Sequence, residues 1–402
     1  MRPALNAFRR TLSPFLCRAQ HAGALGFFVC CTAAIATSAI ADAETVPYLC
    51  DASPVPRPAD FPDQPINILI PRGAMSGALP LSQQIAQAIA GLTDPQGEPL
   101  GIEVNLLFKS DGNLSAALEF FHSLPPNGYN IIQLNDNYAS FLAETGGDSA
   151  PLVPLSLSQI TPSQIYIRSD DARYSSLAEF VAYARTSGAP TQIIANFGEA
   201  GGPPGLEDFL IGHFIAANDL TAKVDPGVEG EAAAPLSIVG FESGPERYFS
   251  LFRPEDDPAR SDLLIEQPGD IARLLEGGLL KPIFTLLPER YVTAKFRDRL
   301  GDTAAFDNGA VTQCGPFFRY RGFFVPHGLP EERRRYLAWL FTRAFDAAGF
   351  QDFNRALYMD VLYDDPEVIA RYCSAEAADQ LFETSLQLYR DCIPARGAGV
   401  RQ

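Results

Sequence analysis

The sequence predicts an α/β protein of two domains, each a mostly parallel sheet flanked by helices. Short runs typical of buried strands alternate with runs whose apolar residues recur at helical spacing. This alternation is typical of parallel sheets covered by helices. The chain is also long enough for two domains. It has 402 residues, of which 47% are hydrophobic and 20% charged, as in ordinary globular proteins.

The first 43 residues differ from the rest. A basic start that carries Arg2, Arg9, Arg10 and Arg18 is followed by the apolar run AGALGFFVCCTAAIATSAI and by the small-residue sequence ADA, which ends at Ala43. This layout is typical of a secretory signal peptide cleaved near Ala43. A membrane anchor is the alternative, but the strongly apolar part is short for a span, which needs about 20 residues. The sequence therefore predicts export across the inner membrane to the periplasm.

Loss of these residues makes the chain more acidic. The full sequence has a net charge of −17, and without residues 1–43 it keeps 27 basic and 47 acidic residues, a net charge near −20. We expect no nucleic-acid partner, because phosphate backbones need a basic surface. An acidic protein still binds small anions where backbone N–H groups gather locally.

Four cysteines remain after cleavage, and an even number in an exported chain predicts two disulfides. Three pairings of Cys50, Cys314, Cys373 and Cys392 are possible. Residues 374–390 carry a helical stripe of apolar side chains, and a helix of about 16 residues is about 24 Å long. Disulfide-bonded Cα atoms lie only about 5.5 Å apart, so Cys373 and Cys392 are not expected to pair with each other. We favour Cys50–Cys392 with Cys314–Cys373; the alternative is that some of these cysteines are free and buried.

Strand and helix patterns alternate along most of the remaining chain. Leu81, Ile85, Ile89 and Leu92 mark the core face of the helix after the first strand, and Ser175 or Ser176 caps a later helix. The predicted strands are 66–70, 102–108, 129–134, 164–168, 191–195, 236–241, 262–266 and 322–326.

A small-residue loop, PRGAMSGA, joins the first predicted strand to its helix. Ligands of open α/β sheets bind beyond the carboxyl ends of strands, where the first turn of a helix offers unpaired N–H groups and a positive dipole end. Glycine and serine let an anion approach these groups closely. Arg72, Gly73, Ser76 and Gly77 are therefore candidate anion-binding residues. A plain connection is the alternative, since such loops commonly contain glycine.

Four further loops, LNDN, ANFGEAGGPPG, FESGPE and IEQPGD, follow predicted strands and carry small or polar residues. Several such loops lining one crevice between two sheets would form a binding cleft for a small, polar anion. The candidate ligand-binding residues in them are Asn135, Asn137, Gly198, Ala200, Gly201, Gly202, Ser243, Gly244 and Glu266.

Signatures of catalysis are missing from the sequence. It has no G-x-S-x-G, no H-E-x-x-H, no phosphate-loop lysine motif and no spaced pair of C-x-x-C motifs. His122 and His213 lie in predicted helices, where a packed or exposed histidine is commoner than a catalytic one, and His327 precedes another helix. We therefore predict a protein that is not an enzyme and that holds no metal and no cofactor.

Several fragments, taken in order, carry a resemblance to a known family. They are FPDQPINILIPRGAMSGALPLSQQIAQAI, PPNGYNIIQLND, SLAEFVAYAR, FESGPE, IEQPGDIARLLEGGLLKPI and YRGFFVPHGLPEE. Each is weakly specific, but their order and spacing together resemble the extracytoplasmic solute-binding proteins of tripartite tricarboxylate transporters, the TctC or Bug family. The resemblance covers roughly residues 61–360.

The resemblance implies a periplasmic-binding-protein-like fold of type II, with two α/β domains joined by crossing strands and a ligand cleft between them. The domain bounds expected on this basis are 44–165 with 290–402 for the first domain and 166–289 for the second. Family members hold carboxylates through backbone N–H groups and waters at the first and later strand–helix loops. These loops match residues 72–77 and 198–202 here.

The sequence departs from the family pattern in both loops. Arg72 stands where the family usually has an aromatic residue, and it either contacts a ligand carboxylate directly or points to solvent. Glu199, in the second loop, would repel a second carboxylate of a ligand. These changes affect the identity of the ligand more than the fold.

The function expected from the sequence is capture of a small organic carboxylate by a monomeric periplasmic protein, which delivers it to membrane transporter subunits. One alternative keeps the fold but makes the protein a ligand-sensing partner of a signalling receptor. The other alternative is an exported enzyme that uses the same cleft, for which the sequence offers no reactive constellation.

Overall fold

The computed structural model describes residues 49–50, 53–71, 77–109, 114–146, 152–186, 192–197, 206–224, 235–241, 244–301, 318–392 and 400–401. The predicted signal peptide, residues 1–43, lies outside these ranges. No helix within them is both long enough and apolar enough to span a membrane.

Strands and helices alternate along these residues, as the sequence predicts. The strands are β1 Ile66–Ile70, β2 Val104–Phe108, β3 Asn130–Asn135, β4 Leu152–Thr161, β5 Gln164–Arg168, β6 Gln192–Phe197, β7 Ala222–Val224, β8 Leu236–Phe241, β9 Leu263–Glu266, β10 Leu280–Thr285, β11 Arg319–Pro326 and β12 Val400–Arg401. The α-helices are α1 Ala78–Ala90, α2 Leu114–His122, α3 Asn137–Thr145, α4 Leu177–Ala184, α5 Leu206–Ala217, α6 Gly244–Ser250, α7 Ala272–Glu276, α8 Ala294–Leu300, α9 Glu331–Phe345, α10 Ala348–Ala356, α11 Pro366–Cys373 and α12 Ala375–Cys392. Short 3₁₀-helices span Pro268–Ile271, Glu289–Tyr291 and Met359–Leu362.

The first sheet has the strand order β2-β1-β3-β11-β4. β1 pairs in parallel with β2 and β3, while β11 runs antiparallel between β3 and β4. The near-continuous apolar run of β1 suits the centre of a parallel sheet, which is buried on both faces. Leu81, Ile85 and Ile89 of α1 are fully buried against this core, as their spacing predicts.

The second sheet has the strand order β10-β5-β9-β6-β8-β7-β12. β6 pairs in parallel with β8 and β9, and β7 pairs in parallel with β8 and β12. β5 runs antiparallel to both β9 and β10. The second sheet is therefore mostly parallel and the first is parallel from β2 through β1 to β3, and the predicted α/β class is confirmed.

The chain passes between the two sheets three times. It leaves the first sheet at the end of β4 and enters the second at β5, only two residues later, and it returns to the first sheet between β10 and β11. After β11 it joins the second sheet again, at β12. The domain bounds expected from the sequence, 165/166 and 289/290, fall close to the first two of these passages. We retain them as a proposal for where one domain ends and the other begins.

Four strands are absent from those predicted, namely β4, β7, β10 and β12, and two of them contain a proline. β4 reads LVPLSLSQIT, with Pro154 and alternating serines that make the run look like a polar connection, yet nearly all of it is buried. β4 lies at the end of the sheet order, where a proline that cannot donate a hydrogen bond is tolerated. β10 has a proline at position 282 for the same reason, beside a register shift in its pairing with β5.

The disulfide pairing expected from the sequence is wrong. Cys50 is bonded to Cys373, with 5.2 Å between their Cα atoms, so neither Cys50–Cys392 nor Cys314–Cys373 forms. Cys392 is also disulfide-bonded, while Cys314 lies outside the described residues. The length of α12 does separate Cys373 from Cys392, as expected, but helix length alone cannot tell which end lies beside Cys50.

Asp346, at the end of α9, holds the segment that carries this disulfide. Its Oδ1 accepts hydrogen bonds from the backbone N–H groups of Leu49 and Cys50, at 3.1 and 3.2 Å. Burial raises the pKa of Asp346 from 3.8 to about 6, although the two N–H donors oppose the rise. The fold therefore prefers the protonated carboxyl.

The Asp346 carboxyl should make stability fall as pH rises. Because its folded pKa exceeds its unfolded value, this group's contribution is fully present below about pH 4 and is lost by about pH 6. Asp346→Asn keeps an oxygen acceptor but cannot ionise, so we expect it to be more stable than the parent by about 1–3 kcal/mol at neutral pH. Urea unfolding of both proteins at acid and neutral pH measures this difference. A stability difference that does not change with pH would contradict the assignment.

Candidate functional site

A cleft of about 610 Å³ is lined by residues that belong to both sheets and their helices. From the first sheet it takes residues at the ends of β1 and β3 and at the start of β11. From the second it takes residues of α6 and of the segment after β9. Phe353 and Leu357, at the end of α10, add apolar surface. The carboxyl ends of strands meet here, as the rule for open α/β sheets predicts.

The predicted site residues divide into three groups. Gly77, Asn135, Asn137 and Gly244 line the cleft. Glu266 is fully buried behind it and is not part of its lining. The others lie outside the described residues, and their role stays a prediction: Arg72, Gly73, Ser76, Gly198, Ala200, Gly201, Gly202 and Ser243.

Gly77 precedes α1 and lies against charged side chains. A Cβ built on Gly77 would stand 3.1 Å from Oδ1 of Asp270 and 3.2 Å from Nη2 of Arg321. These distances are tight for a carbon atom, so the two side chains approach the backbone where the first helix begins. A glycine at this position permits that approach.

Asn135 and Asn137 enclose the end of β3 and the start of α3. Asp136, between them, is buried, and its Oδ1 lies 3.8 Å from Nε of Arg319. Residue Asn135 also pairs with Arg321 across the antiparallel β3–β11 ladder. The polar strand end predicted from the sequence LNDN therefore faces the arginines at the start of β11.

Glu266 holds two arginines that line the cleft. Its Oε1 accepts from Nη1 of Arg319 at 3.0 Å, and its Oε2 accepts from Nη2 of Arg247. Its Oε1 also accepts from the backbone N–H of Gln267, at 2.8 Å. All three charged side chains are nearly or fully buried. Buried ions of opposite charge that are hydrogen-bonded in this way fix one another in position.

Asp270 forms a second ion pair, with Arg321. Nη2 of Arg321 lies 2.8 and 3.0 Å from the two carboxylate oxygens, and Gln267 donates to Oδ2 at 2.7 Å. Burial by itself raises the pKa of Asp270, but Arg321, Gln267 and Arg319 outweigh it, so the pKa lies below its usual value. Asp270 therefore keeps its negative charge beside the cleft.

One wall of the cleft is apolar. Phe249, on α6, is 59% exposed, an unusual fraction for so large an apolar side chain. Leu274, Phe353 and Leu357 also line the cleft. Burial raises the pKa of the neighbouring Tyr248, with Asp270 adding to the effect, so its hydroxyl stays protonated. The cleft thus combines guanidinium groups with apolar surface.

Sequence reasoning missed the charged residues of the site: Arg247, Asp270, Arg273, Arg319 and Arg321. A signal for two of them was present in the sequence RYRGFFVP. Arg319 and Arg321 are two positions apart on a strand, which places both on one face of the sheet.

The three histidines that the structure describes are not part of the cleft lining. His122 and His327 are exposed, and His213 is buried in α5, where burial lowers its pKa. Among the described residues, no group of three or more histidine, cysteine, aspartate or glutamate side chains is placed to hold a metal ion.

Comparison with known proteins shows the fold. No protein-family model and no curated protein sequence matches the chain. Its structure is similar to MatC (Rpa3494) from Rhodopseudomonas palustris with bound malate, with a TM-score of 0.58, 16% identity, and coverage of 83% of this chain and 100% of that one. Periplasmic binding protein BugD gives a TM-score of 0.60 and 15% identity, with coverage of 85% of this chain and 100% of that one. Rpa4515 from R. palustris with adipate gives a TM-score of 0.55 and 15% identity, with coverage of 85% of this chain and 100% of that one. At this identity the similarity establishes a shared fold, that of periplasmic solute-binding proteins, and this confirms the fold class expected from the sequence.

Proposed function

We propose that the protein binds a small organic carboxylate in this cleft and works in the periplasm without catalysing a reaction. The observation that carries the proposal is a cleft between strand ends of two sheets that is lined by four arginines, of which Arg273 has no protein carboxylate as a partner among the described residues. Guanidinium groups and amides are the preferred partners of carboxylates in proteins. The malate and adipate named with two of the structural neighbours are both organic carboxylates and support the same class of ligand.

Binding of a carboxylate should raise thermal stability. A ligand bound only by the native state at a hundred times its Kd adds about 2.7 kcal/mol to the free energy of unfolding. A thermal-shift screen with malate, adipate, benzoate and hexanoate near neutral pH measures this. If no member of a broad carboxylate panel shifts the melting temperature, the proposed function is wrong.

The glycine loops give a second test of the same proposal. Gly73→Asp and Gly201→Asp each introduce a negative charge into a loop expected to meet the ligand, so we expect both to abolish binding while the fold persists. Gly349→Asp is the matched control, because Gly349 is exposed at the start of α10 with open space around it. Variants at 73 and 201 that bind as tightly as this control would overturn the part proposed for these loops.

Delivery to membrane transporter subunits is the finer part of the proposal. Co-purification of the liganded protein with such subunits would support it. Co-purification with the outer domain of a signalling receptor would instead favour the sensing role.

A further inference from the structure

Four arginines line the described part of the cleft: Arg247, Arg273, Arg319 and Arg321. Three of them already contact a protein carboxylate. Arg247 and Arg319 share Glu266, and Arg321 holds Asp270 through both oxygens. The fourth differs: within the residues that the structure describes, the exposed Arg273 side chain has neither an ion pair nor a hydrogen bond.

We propose that the cleft selects carboxylates with a single negative charge and an apolar body, and that Arg273 is the residue that binds the charge. This inference rests on the proposed function, since it names the class of carboxylate that the same cleft takes. It assigns Arg273 to direct contact with the ligand and assigns Asp270 to the rejection of a second negative charge.

The paired arginines are poor partners for an incoming carboxylate. Each is held by a side chain of the same protein, whose effective concentration exceeds that of a free ligand. Displacing Glu266 would also leave a fully buried carboxylate without its cations, which is strongly unfavourable. Arg273 needs no such displacement, because its side chain lines the cleft without an ion pair or hydrogen bond to any described residue.

Asp270 lines the same cleft as Arg273. Its Oδ1 lies against Gly77, at the start of α1, with the Arg321 guanidinium beside it. For a dicarboxylate bound through Arg273, Asp270 occupies the Arg321 guanidinium that a second ligand carboxylate would need, and it repels a carboxylate that comes close to it. A monocarboxylate avoids this repulsion.

The rest of the lining suits an apolar ligand body. Phe249 is exposed to the extent of 59%, and Phe353, Leu357 and Leu274 line the same cleft. Each buried methylene group of a ligand would gain about 0.8 kcal/mol against such surface. An aliphatic or aromatic monocarboxylate therefore matches both the charge and the surface.

The matched pair hexanoate and adipate tests the inference, because both have six carbons and differ in one carboxylate. Isothermal titration near neutral pH should show that the parent binds hexanoate at least about tenfold more tightly than adipate. We expect Arg273→Gln to weaken hexanoate binding about tenfold, the usual loss for a hydrogen bond to a charged group. Arg273→Lys should restore much of it. Arg335→Gln, at an exposed arginine of α9 outside the cleft, is the control and should bind like the parent.

Asp270→Asn tests the effect of the negative charge of Asp270 while the size of the side chain stays nearly the same. Asparagine keeps an oxygen to accept from Arg321 but removes the negative charge, so adipate should bind more tightly and the preference for hexanoate should shrink. A parent protein that binds adipate as tightly as hexanoate, or an Arg273→Gln variant that matches the Arg335→Gln control, overturns the inference. It is also overturned if hexanoate, adipate and benzoate all fail to bind. In that event the proposed function survives when malate or another carboxylate of the thermal-shift panel binds, and fails when none does.

Discussion

Glu266→Ala is expected to destabilise the protein by about 3–5 kcal/mol, because it leaves two buried guanidinium groups without their shared carboxylate. Arg247 is 3% exposed and Arg319 is 5% exposed, so water cannot replace the lost partner. Urea unfolding near neutral pH measures the free energy of unfolding. Glu276→Ala is the control, because Glu276 is exposed on α7, and we expect a change within about 0.5 kcal/mol there.

The charge of Glu266 can be separated from its size. Glu266→Gln keeps an acceptor for Arg319 but removes the negative charge, so its cost should fall between those of the control and of Glu266→Ala. In the double variant Arg247→Met with Glu266→Ala, one of the two cations that lose Glu266 is absent, so the two single effects should not add. Strictly additive effects, or a Glu266→Ala protein as stable as Glu276→Ala, would show that the buried ion pairs do not carry this stability.

Elements with a strong local pattern were predictable. The apolar spacing of Leu81, Ile85 and Ile89 identifies the core face of α1, and Ser176 caps α4 by accepting from the N–H of Glu179 at 3.3 Å. These features depend on residues within one or two turns of each other. β4 was missed because its serines and Pro154 carry no local strand signal. Its burial comes from β11 and from helices distant in the sequence.

The site was predictable only where the chain leaves a parallel strand. Asn135 ends β3, while Gly77, Asn137 and Gly244 follow β1, β3 and β8, and all four residues line the cleft. The rule did not identify Arg319 and Arg321 because β11 runs antiparallel to β3. The amino end of β11 therefore lies beside the carboxyl end of β3. The direction of β11 is a property of the assembled sheet.

The ion pairs could not be predicted from sequence patterns. Arg319 lies 53 residues from Glu266, and Arg321 lies 51 residues from Asp270. Nothing local relates these positions. Glu266 was expected to face the ligand because it follows a strand, yet it points at two cleft arginines instead. The strand-end rule locates the region, and the tertiary fold decides which side chains reach the cleft.

Gly322→Ala is expected to destabilise the protein by about 3 kcal/mol, near the upper end of the range for overpacking. Gly322 lies in β11 between β3 and β4. A Cβ there would stand 2.6 Å from the backbone oxygen of Ser156 and 2.7 Å from Cδ2 of Leu157. The backbone oxygen is fixed by the sheet, so β11 and β4 must move apart. The midpoint of urea unfolding measures the loss.

The same substitution at Gly212 should have the opposite sign, which makes it a matched control. Gly212 lies inside α5, and apart from the backbone of its own helix a Cβ there meets no heavy atom of the described residues within 4 Å. Alanine is favoured over glycine by about 0.5–1 kcal/mol in a helix interior, so Gly212→Ala should stabilise the protein. β11 also carries Arg319 and Arg321, so its separation from β4 should weaken ligand binding by the Gly322→Ala protein. The Gly212→Ala protein should bind ligand like the parent. Equal unfolding midpoints for the two variants would mean that β11 and β4 do not pack at the distance described.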